Sequence, residues 1–193
     1  MQGRVPSPRG FGLSCRTMVT AVQRAHTSAL VGTWVFVLSD AVGFVALLST
    51  MAALRSDSDA FASASPSLQA GLIATALLAC VSGSLIVASR TSKAAWPWLL
   101  LGVGASIGFC ALQYWEYREM LGTSFVLTSP AQEAFVVVTG YHLLHVAAGA
   151  LALLWALARQ LRNGTKAPVG PLSVYWHFVD ALWIAIFGFF YLL

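Results

Sequence analysis

The chain is short of charge. Of its 193 residues only 9% are Asp, Glu, Lys or Arg, while 58% are hydrophobic. Soluble domains carry about a quarter charged residues, so there is too little charge here to cover a water-facing surface. The shortage excludes an ordinary soluble domain and points to an integral membrane protein, long enough for one compact bundle. The net charge is +4, but the basic residues are dispersed over short loops and a tail. They read as topology signals and not as a nucleic-acid surface.

Cysteine is scarce as well. Cys15, Cys80 and Cys110 are odd in number and lack CxxC spacing, which excludes a disulfide framework, and the last two lie in apolar runs as buried free thiols. No HExxH or Glu-x-x-His pair occurs, since Glu133 lies too far from His142, and "CVSGS" at 80–84 lacks the first glycine of a Gly-x-Ser-Gly turn. These gaps weigh against zinc, di-iron and intramembrane serine protease chemistry. Paired haem ligands need histidines on facing helices at one depth, and two of the three intramembrane histidines are a single turn apart. Inverted repeats and broken helices, the marks of a small transporter, are also missing. The residues alone therefore assign no catalytic, metal or cofactor-binding position.

What is present in abundance is long apolar sequence. Five stretches, at about 29–53, 69–89, 95–115, 131–158 and 171–192, each approach the ~20 residues a bilayer core requires. The expected fold is all-α, a polytopic bundle of five transmembrane helices. Residues 1–28 form a basic tail, disordered or interfacial, and 29–193 the membrane domain. Between the spans lie breakers: Arg55 to Ser67 with Pro66, Arg90 to Lys93, Glu116 to Ser129, and Arg159 to Gly170. Ser129 is placed to cap the fourth helix with Pro130 in its first turn and Gln132 completing a capping box. The tail (Arg4, Arg9, Arg16, Arg24) and the second and fourth loops are basic, whereas acids accompany Arg55 and Arg118 in the first and third. That alternation predicts a cytoplasmic N-terminus.

Within the spans the informative residues are Asp40, His142, His145, His177 and Asp180. At a rise of ~1.5 Å per residue, Asp40 lies roughly 16 Å along the first helix, and the other four fall in the same slab. An isolated carboxylate there costs about 2.5–3.5 kcal/mol, so these groups are expected to satisfy one another in a buried polar network. Asp180 is expected to join the fourth and fifth helices. His142, His145 and Gly149 share one helical face, as do His177, Asp180 and Ile184. Gly149 permits close helix approach. Trp96, Trp98, Tyr114, Trp115, Tyr117 and Tyr191 near span ends suggest an aromatic belt, and Trp34, Trp176 and Trp183 suggest packing.

Two segments carry a family resemblance. "VTGYHLLHVAAGALALL" (138–154) and "VYWHFVDALWIAIFGFFYLL" (174–193) closely resemble the last two helices of subunit III of haem–copper oxidases. The match falls on Thr139, Gly140, His142, His145, Val146 and Gly149, then on Tyr175 to Asp180 and Trp183. "QYWEY" (113–117), with Gln113 and Glu116, resembles the close of that family's third helix in this five-helix count, "WVFVLSDAVGF" (34–44) its W-x-F-x-x-S-E segment, and "ARQL" (158–161) its Arg-Gln-Leu. Asp40 stands where many members have glutamate. The chain has five helices against the seven of the longer form, as in bacterial quinol oxidases and in an accessory protein of nitric oxide reductases.

The resemblance implies a non-catalytic subunit of a terminal oxidase in the bacterial inner membrane. It would pack against the haem-bearing subunit I, bind phospholipid and support proton uptake. Haem and copper would sit in the partner subunits, with none bound here. The nitric oxide reductase accessory protein is the alternative. By the same resemblance Arg159, together with Trp34, would contact lipid, and Asp40 would face subunit I or a lipid cleft. Gln113, Glu116, Gly140, Gly149, Trp176 and Trp183 would be further family-motif positions.

Overall fold

A computed structural model describes the backbone of residues 9–56, 66–91, 95–122, 129–163 and 169–192, and the side chains within them except 9–27, 29, 54–56 and 163. Five helices follow one another: α1 (Arg9–Ser56), α2 (Leu68–Arg90), α3 (Trp96–Leu121), α4 (Pro130–Asn163) and α5 (Val169–Phe187), which runs on into a π-helical turn at Gly188–Leu192. Each contains a stretch long and apolar enough to cross a bilayer. The chain is a multi-pass membrane protein, with five such helices among the described residues.

The helix ends follow local chemistry. Ser67 Oγ accepts from the Ala70 amide at the start of α2, and Ser129 Oγ accepts from Gln132 at the start of α4. Each hydroxyl satisfies one of the free amides that begin a helix. Pro97 occupies the first turn of α3, where a missing amide hydrogen costs nothing. Gly122 closes α3 at φ +60°, its amide bonded to the Arg118 carbonyl, a conformation that favours glycine.

Several boundaries differ from expectation, and α4 runs past Arg159, to Asn163. The basic segment, expected as a tail up to residue 28, is helical from Arg9, while residues 1–8, including Arg4, lie outside the described residues. α3 also continues past Glu116 to Leu121. The expected break there was drawn from polarity. Tyr117 and Glu116 are instead bonded to other helices, so their polar groups do not require a loop. The loop residues 57–65, 92–94, 123–128 and 164–168 lie outside the described residues.

α5 sits among α1, α2 and α4, α2 packs on α3, and α3 on α4. The core between them holds Leu78, Leu85, Phe109, Leu153, Trp176 and Trp183. α1 is the least enclosed: 11% of its most apolar stretch is buried, against 39% for α2, α3 and α4. Trp176 and Trp183 are packing residues as expected. Trp34 is not, being 52% exposed on the outer side of α1. Among the belt residues Trp96, Trp98, Tyr114 and Trp115 face outward, while Tyr117 and Tyr191 turn inward to Thr139 and Glu116.

One close crossing is at Gly149 on α4. A Cβ there would lie 2.8 Å from Trp176 and 3.0 Å from Tyr175 on α5, whereas one at Gly104 would meet nothing within 4 Å. Gly149→Ala is therefore expected to destabilise the bundle by about 1–3 kcal/mol through overpacking. Gly104→Ala should be neutral or stabilising by up to ~1 kcal/mol. Thermal unfolding of the two variants in the same detergent checks the difference.

Candidate functional site

The polar residues expected to form one network fall into separate groups. The first joins α1 to α4. His145 Nε2 lies 3.1 Å from Asp40 Oδ2, and the Tyr141 hydroxyl donates to Asp40 Oδ1 at 2.9 Å. His145 Nδ1 is 2.8 Å from the Tyr141 carbonyl. A carbonyl only accepts, so Nδ1 carries a hydrogen, and Nε2 is left to meet the carboxyl. The two side chains, 9% and 10% exposed, face each other across the boundary of α1 and α4, and such pairing is what allows two ionisable groups to sit at membrane depth.

Aromatic rings surround the pair. Phe44 stacks against Tyr141 with centroids 4.9 Å apart and meets the His145 ring edge-on at 5.5 Å. Phe36 lies over His145 and Tyr175, and the Tyr175 hydroxyl donates to the His145 carbonyl at 2.9 Å. Three helices thus converge on one residue of α4.

His142, one turn away, does not join them. It is fully buried against Phe44, Phe109 and Trp183, and neither ring nitrogen has a hydrogen-bond partner. Asp180 pairs with Ser82 of α2, whose hydroxyl donates to its Oδ2. The link made by Asp180 is therefore between α2 and α5, and not between α4 and α5 as expected. The reason lies in direction: Asp180 and Trp183 share the α5 face turned to α2, where Trp183 Nε1 donates to Thr75 at 2.9 Å. His177 faces outward, with Ser173 its only hydrogen-bond neighbour among the described residues, at 3.3 Å.

The other motif residues build a second polar cluster toward the C-terminal end of α3. Gln113 Nε2 donates to Glu116 Oε2 at 3.3 Å, and the Tyr191 hydroxyl donates to the same oxygen at 2.9 Å. Tyr117 and Thr139 hydroxyls are 2.8 Å apart beside Gly140. Arg159 is exposed near the end of α4, its guanidinium 5.4 Å from the Trp155 ring. Its aromatic neighbour among the described residues is thus Trp155 and not Trp34. Ser82 and Thr75 are partners that reading by residue type passed over. The signal available for Ser82 was its depth opposite Asp180 on an antiparallel neighbour.

The arrangement does not fit a bound haem or metal. Both nitrogens of His145 are engaged, and His142 faces aromatic rings with no second histidine across from it. Among the described residues no group of three or more His, Cys, Asp and Glu is placed to hold an ion. What the groups can do is tie helices together. Breaking the Asp40–His145 pair from one side should therefore cost about 3–5 kcal/mol, because the other group is left buried and unpaired. His145→Leu and Asp40→Leu are each expected to be strongly destabilising, and the double variant less so than their sum. A double-mutant cycle in detergent measures this. Additive losses would contradict the pairing.

Comparison with known proteins agrees with this geometry. Residues 17–193 match the family described as Cytochrome c oxidase subunit III. The chain is 27% identical over 197 residues to the cytochrome c oxidase subunit 3 of Bacillus sp. (strain PS3), covering 94% of this chain and 95% of that one. It is 28% identical over 194 residues to the cytochrome bo(3) ubiquinol oxidase subunit 3 of Pseudomonas aeruginosa, covering 88% of each. It is 36% identical over 103 residues to the cytochrome c oxidase subunit 3 of Thermostichus vulcanus, about half of each chain. With a match that spans all five helices, the chain belongs to the cytochrome c oxidase subunit III family.

Proposed function

We propose that this chain is the non-catalytic subunit III of a proton-pumping haem–copper terminal oxidase in a bacterial inner membrane, with its N-terminus cytoplasmic. In this role it stabilises the haem-bearing subunit I, and the haem and copper belong to the partner subunits. The observation that carries the reading is the family match over residues 17–193. The way two of the imidazoles are used supports it: His145 is paired with Asp40, and His142 is enclosed by aromatic rings. The relatives described above carry oxidase names, which favours an oxidase over a nitric oxide reductase accessory protein.

The lipid part of the proposal has its own support. A cleft of about 440 Å³ between α1, α4 and α5 is lined by Gly32, Phe36, Ala148, Ala152, Leu172 and Tyr175. Ala148, Ala152, Trp155 and Arg159 recur at spacings of three and four along α4, so they share one stripe. The floor of the cleft leads along that stripe to a cation at the helix end. An acyl chain fits the apolar part, and an anionic phosphate fits Arg159. Trp34, exposed on α1, adds an aromatic surface to the lipid-facing side.

Two outcomes test these statements. Purification from the native membrane in mild detergent should bring down a haem protein that reduces oxygen. A stable monomer free of haem protein would sink the proposal, and a partner that reduces nitric oxide instead would turn it to the accessory reading. Arg159→Ala should weaken retention of anionic phospholipid by about 1 kcal/mol, roughly fivefold, while haem content stays the same. Lipid phosphorus per haem in the purified complex is the measurement.

A further inference from the structure

His177 is on the wrong side of its helix for a lipid-facing surface. Among the described residues it is the one imidazole or carboxyl group left exposed away from the ends of a span. The α5 span runs over Val169–Leu192, 24 residues, or ~36 Å at 1.5 Å per residue. A hydrocarbon core of ~30 Å centred on it puts residue 177 roughly 9 Å below the headgroup boundary. Lys and Arg reach that boundary on long flexible stems, but an imidazole on a single methylene does not.

Its bonding is incomplete. Nε2 has Ser173 Oγ at 3.3 Å, and Nδ1 has no hydrogen bond among the described residues. Asp180, the acid one turn along, turns away to Ser82 of α2. If lipid tails covered this face, a polar nitrogen would sit unpaired in hydrocarbon, a placement membrane proteins avoid. The surrounding surface suits a helix. Ala181, Ile184 and Gly188 follow His177 on one stripe of α5, and Cβ atoms built at Gly188 and at Gly83 on neighbouring α2 would meet nothing within 4 Å. Small residues let another backbone come close enough for a side chain to bond His177. The outer face of α3 is different in kind: Leu100, Leu101, Gly104, Ile107 and Ala111 are exposed there with no polar side chain among them, as lipid contact requires.

We propose that the α5 face carrying His177 is where another membrane-embedded oxidase subunit docks, one of its helices presenting a hydrogen-bonding side chain to the imidazole inside the hydrocarbon layer. This rests on the oxidase reading. It adds which face is the interface and what chemistry the partner brings there.

The test uses the whole complex in mild detergent, with a photoactivatable residue at position 181 or, for comparison, at 107. Light should join position 181 to a second, different polypeptide of the complex and position 107 to lipid or detergent. Adducts from position 181 only with lipid, or with another copy of this chain, in a preparation that keeps its haem would overturn the inference. A haem-free preparation before irradiation would overturn the oxidase reading first, and this inference with it. In parallel, His177→Leu should lower haem protein retained per copy by roughly fivefold, the loss of one hydrogen bond, and His177→Asn should largely restore it. The isolated chain with His177→Leu should unfold at the same temperature as the parent, since among the described residues the hydrogen bond lost is to Ser173 on the same helix. Full haem retention by His177→Leu, or a fall in the isolated chain's own stability that accounts for the loss, would equally overturn it.

Discussion

A bilayer offers no water to an unpaired polar atom, and the architecture of this bundle follows from that constraint. Apolar burial drives helix association weakly in lipid, where the tails are as apolar as leucine. Contacts between polar side chains therefore do much of the specifying. Asp40 to His145 and Tyr141 joins α1 to α4, Ser82 to Asp180 and Thr75 to Trp183 join α2 to α5, and Tyr117 to Thr139 joins α3 to α4. Tyr191 to Glu116 and Tyr175 to the His145 carbonyl fasten the π-helical turn to α3 and α5 to α4. Every helix is reached. Each such bond contributes on the order of 0.6–2 kcal/mol, so they select the pairing and register, while the close crossing at Gly149 supplies contact.

The distribution is uneven, and the unevenness has meaning. α1 packs on α5 and is tied to α4 through one carboxyl–imidazole pair and the aromatic rings around it. Most of its outer surface, Trp34 included, faces away from the bundle. Because its carboxyl group is paired, α1 can be seated at membrane depth without leaving that group unsatisfied. The same arrangement engages both nitrogens of His145.

His142 shows a limit to the principle. Its two nitrogens are buried without partners against Phe44, Phe109 and Trp183. A neutral imidazole meeting aromatic faces and edges gains some electrostatic compensation. That is weaker than a hydrogen bond.

Much of this was legible in the residues. Scarce charge and five long apolar runs required five crossings, because bilayer thickness sets the length of a span whatever the helices do next. The motifs around His142, His145, His177 and Asp180 pointed to the family, and their depth followed from counting residues. Azimuth could not be counted in this way. Five polar groups in one slab read as one network, and only the packed helices show that Asp40 meets His145, that Asp180 turns to a serine on α2, that His142 stands alone and that His177 looks outward. The reach of α3 past Glu116 was hidden for a related reason: a polar side chain marks a loop or a buried bond equally well until its partner is known. Depth is a one-dimensional property that composition and spacing carry. Which way a side chain points depends on how each helix is rotated against its neighbours, and that is settled only when all five pack together.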